Sequence, residues 1–204
     1  MSQDLFSLFD QDEEHQSFSE WPDPTRFPTN VGQFQVQDQV LKDLRESQSA
    51  TIVTGFASLD RIIDFIASLG DTNRVQLLVG SEPFESNRNH FRMRKADFPK
   101  AVEEYWLKHG ISLLFSAKII RCIDRLKSGQ VEARYQNRLH AKIYRGDKAI
   151  TMGSSNFTQS GMTSQIEGNV RFVKGEDRFD ENCKIADGLW AMGNPYTNQM
   201  IALL

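Results

Sequence analysis

Apolar positions along the chain follow two periods, one near four residues and one of two, and together they predict an alternation of helices and strands. Val36, Val40, Leu41 and Leu44 recur at helical spacing. Residues 50–56, ATIVTGF, are rich in β-branched side chains and predict a buried strand. Ser58 offers an N-cap to LDRIIDFIASLG, where Leu59, Ile62, Ile63, Ile66 and Leu69 make one apolar face that Gly70 terminates. VQLLVG at residues 75–80 predicts the next strand. A strand, a helix and a strand in that order imply a right-handed βαβ unit with parallel pairing.

The same reading extends to the C-terminus. Residues 97–109 predict a helix with Pro99 in its first turn, 111–115 a short strand, and 117–127 a helix that stops at Ser128-Gly129. After a strand at 131–135, Leu139, Ala141 and Ile143 alternate with His140, Lys142 and Tyr144. A period of two sends one set to the core, so His140 and Lys142 are expected on one side of a strand. Gly146-Asp147 predicts a tight turn through positive φ and local side-chain bonds, followed by a strand at 149–152. Residues 157–162 read as a turn or helix start whose amides could face an anion, 167–173 as the last strand, and 178–192 as a closing helix. The expected fold class is α/β, with a mixed, largely parallel sheet flanked by helices on both faces. Three segments result: an acidic, proline-punctuated arm at 1–30, a globular domain at 31–195, and a tail at 196–204.

Composition narrows the class. With 39% hydrophobic and 25% charged residues, the 204-residue chain is of soluble, globular type. A net charge of −3 does not mark a nucleic-acid binder, but binding depends on where the cations sit. Cys122 and Cys183 lack metal or disulfide spacing and are expected as buried free thiols. No apolar run approaches the roughly 20 residues of a membrane span, and the acidic start lacks a basic flank, so a cytoplasmic location is expected. The carboxylate cluster of magnesium-dependent nucleases is missing from the pattern, and neither metal nor other cofactor is expected.

The chemistry concentrates in residues 139–167. His140, Lys142, Gly153, Ser154 and Asn156 place an imidazole, an ammonium, a hydroxyl and an amide near two adjacent strand ends, as displacement at a phosphate requires. Ser154, Asn156 and Asp147 are also ordinary turn residues, and Glu167 is open to reading as an exposed strand-edge carboxylate. HxKxxxxD followed by GSxN resembles the HKD motif of the phospholipase D superfamily, matched by His140, Lys142, Asp147, Gly153, Ser154 and Asn156. The resemblance covers residues 131–173.

What the resemblance implies is specific. In the superfamily's small bacterial nucleases a downstream glutamate supports the catalytic histidine, and Glu167 is similarly placed. The implied fold is phospholipase D-like. The implied activity is a metal-independent phosphodiesterase, foremost a DNA endonuclease working through a phosphohistidine. A complete site resembles two facing motifs, so a chain with one implies a homodimer. Gly153 and Ser155 are then expected against the substrate, with Arg88, Arg92 and Arg94 of the basic loop at 81–95 lining a phosphate groove unless that loop is merely solvated. The rival readings are a phospholipase, within the same superfamily, and, from another class, a non-catalytic nucleic-acid-binding module of a helicase or restriction/defence system.

Overall fold

The computed structural model describes residues 21–80 and 116–204. The expected helix at 97–109, the strand at 111–115, the basic loop with Arg88, Arg92 and Arg94, and most of the acidic arm lie outside the described residues. What is described is a seven-stranded mixed sheet with helices on both faces. In chain order the elements are α1 (Val36–Arg45), β1 (Ser49–Thr54), α2 (Leu59–Ser68), β2 (Arg74–Gly80), α3 (Ser116–Lys127), β3 (Val131–Gln136), β4 (Lys142–Arg145), β5 (Ala149–Gly153), α4 (Gln159–Thr163), β6 (Asn169–Val173), α5 (Phe179–Met192), β7 (Asn194–Pro195) and α6 (Thr197–Leu203).

The sheet order is β6-β5-β4-β1-β2-β3-β7. Its parallel part is confined to β1, β2 and β3, and every other pairing is antiparallel. The sheet is therefore mixed as expected but not largely parallel. Strands β4 and β5 are joined by residues 146–148 alone, too few for a crossover, which leaves antiparallel pairing; the longer 154–168 connection holds α4 and turns back at the same sheet edge, so β6 also pairs antiparallel.

Alternation sorts the side chains into two cores. Ile52 and Tyr144 face α1, α2, α3 and α6, while Val53, Leu139, Ile143 and Ile150 pack on Phe179, Cys183, Ala186 and Trp190 of α5. Leu139 and Ile143 thus share a face, as their spacing predicts, although the regular strand begins only at Lys142. Gly146 does not have the positive φ expected of its turn. It is small for another reason: a Cβ there would lie 2.7 Å from Asp43 O and closer still to Ser47 Oγ.

Both ends of the described chain are tied down. Residues 26–29 run along the outer side of β6, where Arg171 N donates to Arg26 O at 2.8 Å and Asn169 Nδ2 to Pro28 O at 2.8 Å. Residues 197–203 form α6, a helix where a tail was expected. Its Met200 is 1% exposed and contributes about 1.5–3 kcal/mol by burial. The short β7 pairs with β3 just before it.

Candidate active site

Strand direction gathers one edge of the sheet. The parallel strands β1 and β2 end there, β4 starts there antiparallel to β1, β5 returns to it, and β6 leaves from it. Thr54 pairs with Lys142, and Gly153 with Asn169, so the strand ends carrying the candidate chemistry stand level with one another. Backbones crowd at this edge: a Cβ on Gly80 would meet Leu139 O at 2.5 Å and Gly55 O at 2.7 Å. Glycine at that point lets the segment carrying His140 lie directly over the end of β2.

His140 is exposed and stands two residues ahead of Lys142. Lys142 is 4% exposed, and its Nζ donates to His140 O at 2.8 Å. An ammonium has three N–H donors. One of them fixes the backbone that presents the imidazole, so Lys142 positions His140 as well as supplying charge.

The GSSN turn is built by reciprocal bonds with the start of β6. Ser154 N donates to Gly168 O at 3.1 Å, Gly168 N donates to Ser154 Oγ at 3.0 Å, and Ser154 Oγ donates to the Glu167 carboxylate. Glu167 is held in turn through its amide, which donates to Thr29 O at 3.0 Å. It precedes β6 and does not begin it, a position that frees its side chain from strand alternation. Gly153 has no room for a side chain, since a Cβ would sit 2.6 Å from Asn169 Cα and nearer to Gly168 O.

The remaining members of the run face inward. Ser155 is 0% exposed, with its hydroxyl accepting from Asn169 Nδ2 at 2.9 Å and its carbonyl accepting from Tyr144 OH at 2.6 Å. It shapes the turn and does not reach the surface where a substrate would lie. Asn156 Oδ1 accepts from Phe56 N at 3.1 Å, which turns the amide's oxygen toward β1 and its NH₂ end away. At the helix start beyond, Thr158 Oγ1 accepts from Gly161 N at 3.0 Å, so that amide is used within the five-residue α4.

Asp147 lies at the other end of the sheet. Its carboxylate accepts from Gln48 N at 2.6 Å and Ser49 N at 3.3 Å, where β1 begins. The four-residue β4 separates it from Lys142, roughly 13 Å of extended chain. The structure therefore brings His140, Lys142, Gly153, Ser154, Asn156 and Glu167 to one edge and leaves Asp147 at the opposite one.

Three supporting residues escaped sequence reasoning. Thr54, fully buried, donates through Oγ1 to Phe56 O at 2.6 Å and accepts from Phe157 N at 3.1 Å. Asn169 joins Ser155 to Pro28, and Thr29 holds Glu167. A polar residue opening an apolar strand, as in Asn169-Val170, was the one available signal for such a buried strut. Among the described residues, no three of His, Cys, Asp and Glu group as a metal site.

No protein-family model and no curated protein matches the chain. Solved structures do. Phosphatidylserine synthase from Haemophilus influenzae Rd KW20 superposes with a TM-score of 0.57 at 15% identity, over 83% of this chain and 39% of that one. A phospholipase D family member, Nuc from Salmonella typhimurium, gives 0.49 at 15% identity over 78% of this chain and 90% of its own. NucT from Helicobacter pylori gives 0.48 at 12% identity over the same shares. At these identities the likeness is one of fold.

Proposed function

Starting from a phospholipase D-like fold, we propose that this chain is a metal-independent phosphodiesterase that cleaves DNA internally through a phosphohistidine on His140, at a site completed by a second copy of the chain. The observation that supports it is the gathering of His140, Lys142, Ser154 and Glu167 at one sheet edge, with Lys142 Nζ on the His140 carbonyl at 2.8 Å. Neutral imidazole attacks phosphorus, a P–N bond forms, and the P–O bond to the leaving strand breaks. The departing oxygen takes its proton from the imidazolium of His140 in the second copy. That now-neutral imidazole next removes a proton from water, whose oxygen attacks phosphorus and releases the first His140.

The two rings thus take opposite proton-transfer roles in each step. Lys142 from each copy neutralises charge on the nonbridging oxygens. Glu167, with Ser154 donating to it, stabilises the imidazolium as the buried carboxylate of a Ser-His-Asp triad does. The placement of Asn156 suits hydrogen bonding from its NH₂ end toward the same oxygens.

The test is cleavage of plasmid and single-stranded DNA in excess EDTA. Cuts that persist in EDTA and fall by about 10³-fold or more in His140→Ala, with the melting curve unchanged, are expected for a nucleophile at an exposed position. DNA binding without cleavage would instead identify a recognition module. Headgroup release from phospholipid vesicles, without DNA cleavage, would identify a phospholipase.

A further inference from the structure

A groove of about 830 Å³ runs between α1, α2 and α3 on the face of the sheet opposite α5. Its lining inverts the charge of the chain. Lys42, Arg45, Arg61, Lys118 and Arg121 stand against Asp38, Glu46 and Asp64, whereas the whole sequence has 24 Lys and Arg against 27 Asp and Glu. Cations from three separate helices meet there, which scattered solubilising charge does not require.

Arg61 makes the groove unusual. Its guanidinium donates to Gln37 Oε1 at 2.6 Å, yet its Nε is buried and has no partner among the described residues. Burial lowers its pKa, Asp60 and Asp64 oppose that, and the charge of Arg45 lowers it further. An arginine stays protonated nonetheless, so a desolvated positive charge is kept beside another of the same sign. Such an arrangement costs folding stability, and an anion in the groove would offset the cost.

One end of the groove, at the starts of α1 and α2, lies toward the candidate active site. Arg61 follows Ser58, whose amide donates to Phe157 O at 3.2 Å, one residue past Asn156. At the start of α1, Asn30 accepts from Val36 N at 2.7 Å and donates to Gly161 O at 3.0 Å.

We propose that the α1–α2–α3 groove binds the phosphate backbone of the nucleic acid outside the cleavage point, with Arg45 and Arg61 as its central contacts and Lys42 and Arg121 on its rim. This rests on the nucleic-acid reading of the site and extends it to a second surface. Backbone contacts of this kind add affinity and salt dependence without reading sequence.

The experiment uses the full chain carrying His140→Ala, so that the probe survives, and follows fluorescent single-stranded and duplex oligonucleotides by anisotropy across a salt series in EDTA. Lys42→Gln/Arg45→Gln/Arg121→Gln removes three exposed groove cations. Lys127→Gln/Lys148→Gln/Lys184→Gln removes three exposed cations outside it. The groove triple is expected to weaken binding by about tenfold or more and to flatten the slope of log K against log salt by about 2–3. The control triple leaves the slope unchanged. Arg61→Gln, with folding followed by its melting curve, is expected to weaken binding in the same direction. Equal affinity and slope in the two triples, or no oligonucleotide binding by the parent, would overturn the groove. Groove-dependent binding by a chain that never cuts DNA would leave the groove standing and remove the catalytic reading; cleavage with an indifferent groove would do the reverse.

Discussion

Asp147 and Glu167 are both carboxylates of the motif region, and their surroundings separate them. Asp147 accepts two amides at the first residues of β1 and sits a strand's length from Lys142. Glu167 accepts from Ser154 beside the edge where His140 is presented. Removing Asp147 leaves Gln48 N and Ser49 N to solvent, at a cost of about 0.5–1.5 kcal/mol. The expected result for Asp147→Ala is a lowered denaturation midpoint with cleavage by the folded protein within about threefold of the parent. Glu167→Gln is expected to keep the midpoint and lose cleavage by about 10²-fold, since the neutral amide no longer stabilises an imidazolium. Urea melts and single-turnover cleavage of the two variants check this; equal stability loss in both would assign both carboxylates to the scaffold.

The elements that frame the site depend on contacts between distant segments. Arg171 of β6 grips Asp43 of α1 through Nε at 2.6 Å and NH2 at 2.9 Å, with both side chains mostly buried. That hydrogen bonding raises the Arg171 pKa. Arg171→Met is expected to cost about 2–4 kcal/mol because it strands a carboxylate, and pairing it with Asp43→Leu should recover part of the loss in a double-mutant cycle. Additive losses would mean the pair is not coupled. A second contact involves the described end of the arm. Hydrogen bonds from Thr25 lower the Asp23 pKa, and the Val173 amide followed by Arg26 lowers that of Glu176. Glu176, which accepts from Arg26, therefore favours the docked arm above its ordinary value of 4.5, and that contribution disappears as pH falls through the lowered one, whereas the Asp23 bonds stay within the arm. Protection factors for hydrogen exchange at Arg171 N and Glu167 N, taken against the intrinsic rate at each pH, should therefore fall on acidification; pH-independent protection would contradict the docking role.

At the scale of the whole molecule, local periodicity carried most of the fold. The βαβ unit, the alternation through Leu139, Ala141 and Ile143, and the extent of α5 were legible from their apolar spacing. The motif edge was legible because His140, Lys142, Ser154 and Asn156 are chemically distinct and closely spaced. What escaped reading depends on partners remote in sequence. Gly146 is small because Asp43 and Ser47 pass over it, Ser155 turns inward because Asn169 reaches it, and residues 197–203 coil because Met200 finds a core. Oligomeric state belongs to this scale too, since a single His140 cannot attack phosphorus and protonate the leaving oxygen in one step. The most direct measurement is intact-mass and peptide spectrometry of the protein quenched during turnover of a DNA substrate, alongside light scattering of the same sample. The account predicts a dimer with a nucleotide joined to His140 in one of its two chains. A fully active monomer, or turnover with His140 never modified, would contradict it.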